Sequence, residues 1–195
     1  MELENADSQP IPPSERGMHF TVLADLPADS VRPDRANEMK ITIRPATGSD
    51  AQQMVELLNP IIERGNLTMM RQQLSLAEQQ AFIDRFPTAG IFHVAEAIGG
   101  RLVAMQDVLP NDNDSTIGEI STFVCLDHLR QGIGSLLMNE TIVVATRRGF
   151  CELRATIRQE NTGAIQFYRQ CGFQDACVPY RHSSTNLRLN LKPWA

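Results

Sequence analysis

The stretch Leu129–Leu137, "LRQGIGSLL", sets two glycines one residue apart at the mouth of an apolar run. A G-x-G pair by itself carries little, since at a glycine usage of roughly 7% a chain of this length holds about one by chance. Its neighbours give it meaning. Upstream, "IGEISTFVCL" reads as a strand. Downstream, Ile133, Leu136, Leu137 and Val144 recur at helical spacing, with Arg147 and Arg148 at the negative end of the helix dipole and Gly149 as a left-handed stop. A strand that feeds through glycines into a helix makes an anion cradle, because the first-turn amides lack acceptors and the dipole adds roughly half a positive charge. Gly132 and Gly134 let a phosphate approach the backbone without Cβ interference, Arg130 adds a cation and Ser135 a hydroxyl donor. A helix that simply starts tightly after a turn is the competing reading of the same glycines.

Two familiar phosphate loops do not fit. The dinucleotide fingerprint needs a third Gly or Ala where Leu137 stands, and the nucleoside-triphosphate loop needs a Gly-Lys-Ser/Thr that is absent.

Working outward, "KITIRPA" alternates as a half-buried strand, and Ser49 with Gln52 is placed to cap a helix striped by Ala51, Met54, Val55, Leu58, Ile61 and Ile62. Pro60 should kink or break that helix. "SLAE" at Ser75–Glu78 offers a second capping box. "IFHVAEA", "IGGR" and "LVAMQDV" read as a hairpin with a two-residue turn supplied by Gly99 and Gly100. "CELRATI" alternates as a strand, "NTGAIQFYRQCG" is a short helix capped by Asn161 and stopped by Gly172, and "TNLRLNL" is a closing strand. The order is α/β with a mixed sheet. Residues 1–39 hold five of the eleven prolines and read as an extended or disordered arm with one short strand at "MHFTVLADL"; the folded domain is expected over residues 40–195.

The totals bound the function. A chain of 195 residues with 42% hydrophobic and 21% charged residues is an ordinary globular domain. A net charge of -5 argues against nucleic acid as a partner, and no run approaches the ~20 apolar residues of a membrane span, so a cytoplasmic location is expected. Cys125, Cys151, Cys171 and Cys177 form no C-x-x-C pair; they read as reduced core or near-core thiols, and no metal site is expected.

About thirty residues after the glycine loop, "NTGAIQFYRQCGF" places Asn161, Ala164, Tyr168, Gly172 and Phe173 in the register N-x-x-A-x-x-x-Y-x-x-x-G-F. Together with "TFVCLDHLRQGIGSLLM", whose loop follows Q/R-x-x-G-x-G/A except that Leu129 takes the first position, this resembles the GNAT superfamily of acyl-CoA N-acyltransferases over Ile41–Leu191. The Asn59–Pro87 region is similar to the phosphinothricin-acetyltransferase-like branch.

The resemblance implies a single domain whose central parallel strands splay apart around the pantetheine arm of acetyl-CoA. It implies that Phe123, Val124 and Cys125 offer backbone groups to that arm, that the amide near Phe123 polarises the thioester carbonyl, and that Arg130, Gln131, Gly132, Ile133, Gly134 and Ser135 hold the pyrophosphate. Asn161 would touch the arm, and the Tyr168 hydroxyl would lie near the coenzyme sulfur, as a general acid or else as a packed residue with its hydroxyl satisfied. The chemistry needs a neutral amine, and Glu119, on the strand before the loop, is the leading base, against the reading of a solvated strand carboxylate. His128 is the fallback base, and His93 is a candidate for the acceptor cleft or a structural histidine.

The expected function is transfer of an acetyl group to a primary amine of a small molecule, such as an amino acid or its analogue, by direct attack in a ternary complex. Met69, Met70, Arg71 and Arg181, in segments expected to shape the acceptor site, point to an acceptor with a carboxylate or phosphonate. A protein N-terminus or lysine is the alternative acceptor. A non-catalytic coenzyme-binding regulatory module and a plain α/β interaction domain are the alternatives from other classes. The resemblance also admits a homodimer.

Overall fold

The computed structural model describes residues 40–176 and 183–192. The proline-rich arm, the "MHFTVLADL" strand, Cys177 and Arg181 lie outside the described residues. The chain runs β1 (Thr42–Pro45), α1 (Ala51–Glu63), α2 (Leu76–Asp84), β2 (Ile91–Glu96), β3 (Leu102–Pro110), β4 (Ile117–Val124), α3 (Ile133–Arg147), β5 (Glu152–Arg158), α4 (Thr162–Gln170), β6 (Gln174–Asp175) and β7 (Ser184–Asn190). Short 3-10 turns at Gly48–Asp50 and Leu126–His128 precede α1 and the glycine loop.

The strands form one mixed sheet in the order β1-β2-β3-β4-β5-β7-β6. Every neighbouring pair is antiparallel except β4 and β5. Their parallel ladder holds three pairs, Ile117↔Glu152, Gly118↔Leu153 and Glu119↔Arg154, and then stops. β4 continues on β3 up to Val124, and β5 continues on β7 up to Arg158. The two central strands therefore part beyond Glu119 and Arg154, each tethered on its outer side only.

Strand alternation sends successive side chains to opposite faces. On one face, Ile91, Val108, Ile120, Leu153, Ala155, Ile157 and Leu187 meet Met138 and Ala145 of α3 and Ala164 and Tyr168 of α4. On the other, Phe92, Val94, Met105 and Phe123 meet Met54, Leu57, Leu58, Ile61 and Ile62 of α1. Complete burial of a side chain of this size contributes about 1.5–3 kcal/mol relative to exposure. The two faces thus hold the helices in place on either side of the diverging strands.

Several local features differ from the sequence reading. α1 runs unbroken through Pro60 to Glu63. The proline is exposed and three residues from the helix end, so it forfeits one hydrogen bond while Met54, Leu58, Ile61 and Ile62 keep their burial. The cap before α1 is Thr47 with Asp50 rather than Ser49 with Gln52, because a 3-10 turn intervenes. Asp50 accepts from the Thr47 amide at 2.7 Å and holds the Arg44 guanidinium through both oxygens at 2.8 Å; that guanidinium pulls its carboxyl down to about 2. The β2–β3 connection closes Ala97 on Arg101, so three residues rather than two form the loop, with Gly99 and Gly100 at positive φ. Leu136 is exposed, and its expected place on the buried stripe of α3 goes to Thr141 and Ala145. Cys151 is exposed rather than packed, whereas Cys125 and Cys171 are half-buried, and burial pushes the Cys171 thiol up to about 11.

Candidate active site

The glycine loop has the conformation a cradle requires. Gly132 is the N-cap of α3 at φ +82°, and Arg130 also lies in the left-handed region at φ +59°. For a residue with a Cβ that conformation costs of order 1–2 kcal/mol, and such strain gathers at ligand clamps. The first turn closes with Leu136 N–H on the Gly132 carbonyl at 3.1 Å. Among the described residues no protein group accepts from the amides of Ile133, Gly134 or Ser135.

Gly134 has a second duty. A Cβ there would stand 3.2 and 3.3 Å from the Phe167 ring of α4, so the bare backbone lets α3 and α4 approach one another. Leu129, which departs from the expected Gln/Arg, packs against the cluster of Val124, Ile133 and Leu137 and fixes the loop from below. The Gln131 side chain donates through Nε2 to the Asp127 carbonyl at 3.2 Å, tying the loop to the preceding turn. His128 sits in that turn with Nδ1 shut off from solvent and unpartnered among the described residues.

Backbone polarity along β4 refines the expectation for Phe123, Val124 and Cys125. The Cys125 N–H is spent on the Val103 carbonyl at 2.8 Å, and Met105↔Phe123 continues that register. Antiparallel pairing alternates hydrogen-bonded and non-bonded pairs, so Phe123 also faces β3, while Thr122 and Val124 turn their amides and carbonyls toward the gap. The amide positioned for an arm or a carbonyl is therefore that of Thr122 or Val124 rather than of Phe123 or Cys125.

Glu119 stands at the last rung before the strands part. Its carboxylate accepts from Asn111 Nδ2 at 2.9 Å. Burial pushes its pKa up, and the Asn111 hydrogen bond and the Arg154 charge partly oppose that rise. A carboxyl so placed holds a proton more readily than a solvated one, which suits a base. Three residues on, Thr122 projects to the opposite face, where its Oγ1 meets the Tyr168 hydroxyl at 2.8 Å. Gln106 Nε2 donates to the same Oγ1 at 2.7 Å, and all three residues are fully buried. Tyr168 thus reaches the edge of the gap from the α4 side, and Glu119 from the other.

Asn161 caps α4 by accepting from the Ala164 amide at 3.0 Å and donates to the Leu67 carbonyl at 2.9 Å. The side chain expected on the arm thus also pins the Gly65–Leu74 loop to the end of β5. His93 faces α3, with Nδ1 3.1 Å from Thr141 Oγ1. On the Glu119 face, β5 and β7 carry Arg154, Arg158 and Arg188. Glu152 pairs with Arg154 and lies 3.6 Å from Arg188. The Nε atoms of Arg158 and Arg188 are shut off from solvent with no hydrogen-bond acceptor among the described residues. Thr122, Gln106 and Asn111 were invisible to sequence reasoning, because each is recruited by cross-strand register or a loop return rather than by a motif.

A sheet whose one parallel pair parts beside a glycine-capped helix defines an acyltransferase architecture. The family model "Acetyltransferase (GNAT) family" matches residues 52–173, and the chain belongs to that family. No curated protein matches the chain. Among solved structures, it is similar to yncA from Salmonella typhimurium, determined with its cofactor acetyl-CoA, at 20% identity and TM-score 0.69 over 80% of this chain and 96% of that one. A phosphinothricin acetyltransferase from Sinorhizobium meliloti in complex with acetyl-CoA shares 19% identity at TM-score 0.69, over 78% and 89% of the two chains. A ribosomal-protein-alanine N-acetyltransferase from Brucella melitensis shares 22% identity at TM-score 0.67, over 77% and 99%. Among the described residues no helix is long and apolar enough to cross a membrane.

Proposed function

We propose that the protein transfers the acetyl group of acetyl-CoA to the primary amine of a small molecule carrying an acid group, such as an amino acid or its analogue. The observation that carries this reading is the opening between β4 and β5. Glu119 borders it on one face, Tyr168 on the other, and first-turn amides of α3 with no acceptor among the described residues stand at its end. The amides of Ile133, Gly134 and Ser135 hold the diphosphate, and the gap-facing backbone of Thr122 and Val124 receives the arm and polarises the thioester carbonyl. Glu119 takes the proton of the incoming ammonium, directly or through water. The neutral amine then attacks the bound thioester in the ternary complex, with much of the acceleration coming from holding the two together. The Tyr168 hydroxyl supports the departing sulfur.

The acid group of the acceptor is supported by the arginines on the Glu119 face, where the Arg188 Nε has no hydrogen-bond acceptor among the described residues and the Arg158 Nε stands 3.5 Å from Glu160. A protein N-terminus is the second reading, favoured by the likeness to the ribosomal-protein-alanine N-acetyltransferase. An assay for released coenzyme thiol over amino acids, polyamines, aminoglycosides and peptides separates them. Turnover confined to acidic or zwitterionic small amines supports the proposal, and turnover on peptides alone supports the second reading. Tight coenzyme binding without turnover on any amine would reject catalysis.

A further inference from the structure

We propose that Arg188 selects the acceptor by receiving its acid group beside Glu119, with Glu152 as the internal carboxylate that the ligand displaces from it. The inference rests on the reading of the acceptor as an amine that carries an acid.

The strand register sets out the row. Glu119 of β4 pairs with Arg154 of β5, and Arg154 pairs with Arg188 of β7, so the three side chains stand side by side on one face of the sheet. Neighbouring strands lie about 4.8 Å apart, which puts the Arg188 backbone about 10 Å from that of Glu119. A long side chain and a small ligand span that distance together. Glu152, two residues before Arg154, projects to the same face and is shared between the two arginines. One of its oxygens accepts from Arg154 Nε, and the other stands 3.6 Å from Arg188 Nη1.

The three arginines of this face are unequally served. Arg154 is hydrogen-bonded to Glu152 and lies across from Glu119. Arg158 has Glu160 at 3.5 Å and donates to the Thr68 carbonyl at 3.5 Å. At Arg188 the contact with Glu152 is longer than a hydrogen bond, and Nε has no acceptor among the described residues. The Arg188 side chain is 42% exposed and that of Glu152 only 14%, so a ligand reaches the guanidinium more readily than the carboxylate that half-serves it. Charge then names the ligand. Arg154, Arg188, Glu152 and an ionised Glu119 sum to zero. A bare ammonium leaves this row with one positive charge in excess, whereas an ammonium that also carries a carboxylate leaves it neutral. Proton transfer from the amine to Glu119 does not alter either sum. The planar guanidinium takes a carboxylate or phosphonate through two charge-assisted hydrogen bonds.

The test compares two probes, the amino acid turned over fastest in the panel above and the same amino acid as its carboxamide. Arg188→Gln should lower the acid-to-amide ratio of kcat/KM roughly 10–100-fold, through KM for the amine, with KM for acetyl-CoA within about twofold. Arg188→Lys, which keeps the charge and loses the fork, should fall between. Glu152→Gln should raise the ratio, because the ligand no longer competes with an internal carboxylate. It should also move the acid limb set by Glu119 to lower pH, because a negative neighbour is gone. An unchanged ratio in Arg188→Gln, or an equal loss on both probes with a lowered Tm, would overturn the selecting role. A ratio that falls in Glu152→Gln would overturn the sharing of Glu152. A wild-type ratio near one would instead reject the acid-bearing acceptor itself, leaving acetyl transfer to amines in place.

Discussion

Glu119 carries the proton in this account, and its surroundings predict the pH dependence. The active form is the carboxylate, and burial holds its pKa above the ordinary 4.5, so kcat/KM should rise with pH through an acid limb displaced upward from that value. Asn111 hydrogen-bonds the charged form, so Asn111→Ala should move the limb to still higher pH. Glu119→Gln should abolish the limb and lower kcat/KM by about 10²–10⁴-fold. A wild-type profile without that limb would remove Glu119 from the role. Asp107, on β3, answers to the same physics in a different currency. It is buried, bonded to the Ser121 hydroxyl, and desolvation pushes it up to about 8. Its native form binds a proton that the unfolded chain releases above 3.8, so this contribution to stability is complete below that pH and is lost as pH rises through about 8. Asp107→Asn should therefore raise Tm at pH 8 more than at pH 5; equal shifts at both would contradict the assignment.

The glycine-capped start of α3 is the element on which binding depends. Gly132→Ala forces a Cβ into the left-handed region, so it should lower stability by about 1–2 kcal/mol and weaken acetyl-CoA binding; urea melts and calorimetry report the two effects separately. Local signals of this kind were legible beforehand. The Ser75–Glu78 capping box, the Asn161 cap, the Gly149 and Gly172 stops and the strand–loop–helix around Gly132 all depend on residues close in sequence, and all occur. The features that escaped depend on partners far along the chain. Pro60 reads as a breaker until the apolar face beneath α1 is seen to hold it. Leu136 fits the stripe of α3 until Thr141 is found opposite His93. Which amides of β4 face the gap is fixed by the register with β3, and no local pattern encodes that register. Gly134 reads as room for phosphate alone until α4, in place, brings Phe167 against it.

At the scale of the whole molecule, strands that part and are tethered only on their outer sides should be stabilised by whatever lies between them. Coenzyme at about 100 times its Kd should contribute about 2.7 kcal/mol, read as a rise in Tm; an unmoved Tm would leave the gap without its proposed occupant. The family match begins at residue 52 and the described sheet at Thr42, so a chain of residues 40–195 is expected to fold and bind coenzyme as the full chain does. The most direct measurement of the central claim is the response of backbone amides to ligand in ¹H–¹⁵N spectra. Coenzyme A should displace the Ile133, Gly134 and Ser135 amide resonances strongly, and pantetheine, which lacks the diphosphate, should leave those three in place while moving Thr122 and Val124. Coenzyme binding that leaves the Ile133, Gly134 and Ser135 amides unmoved would contradict the account.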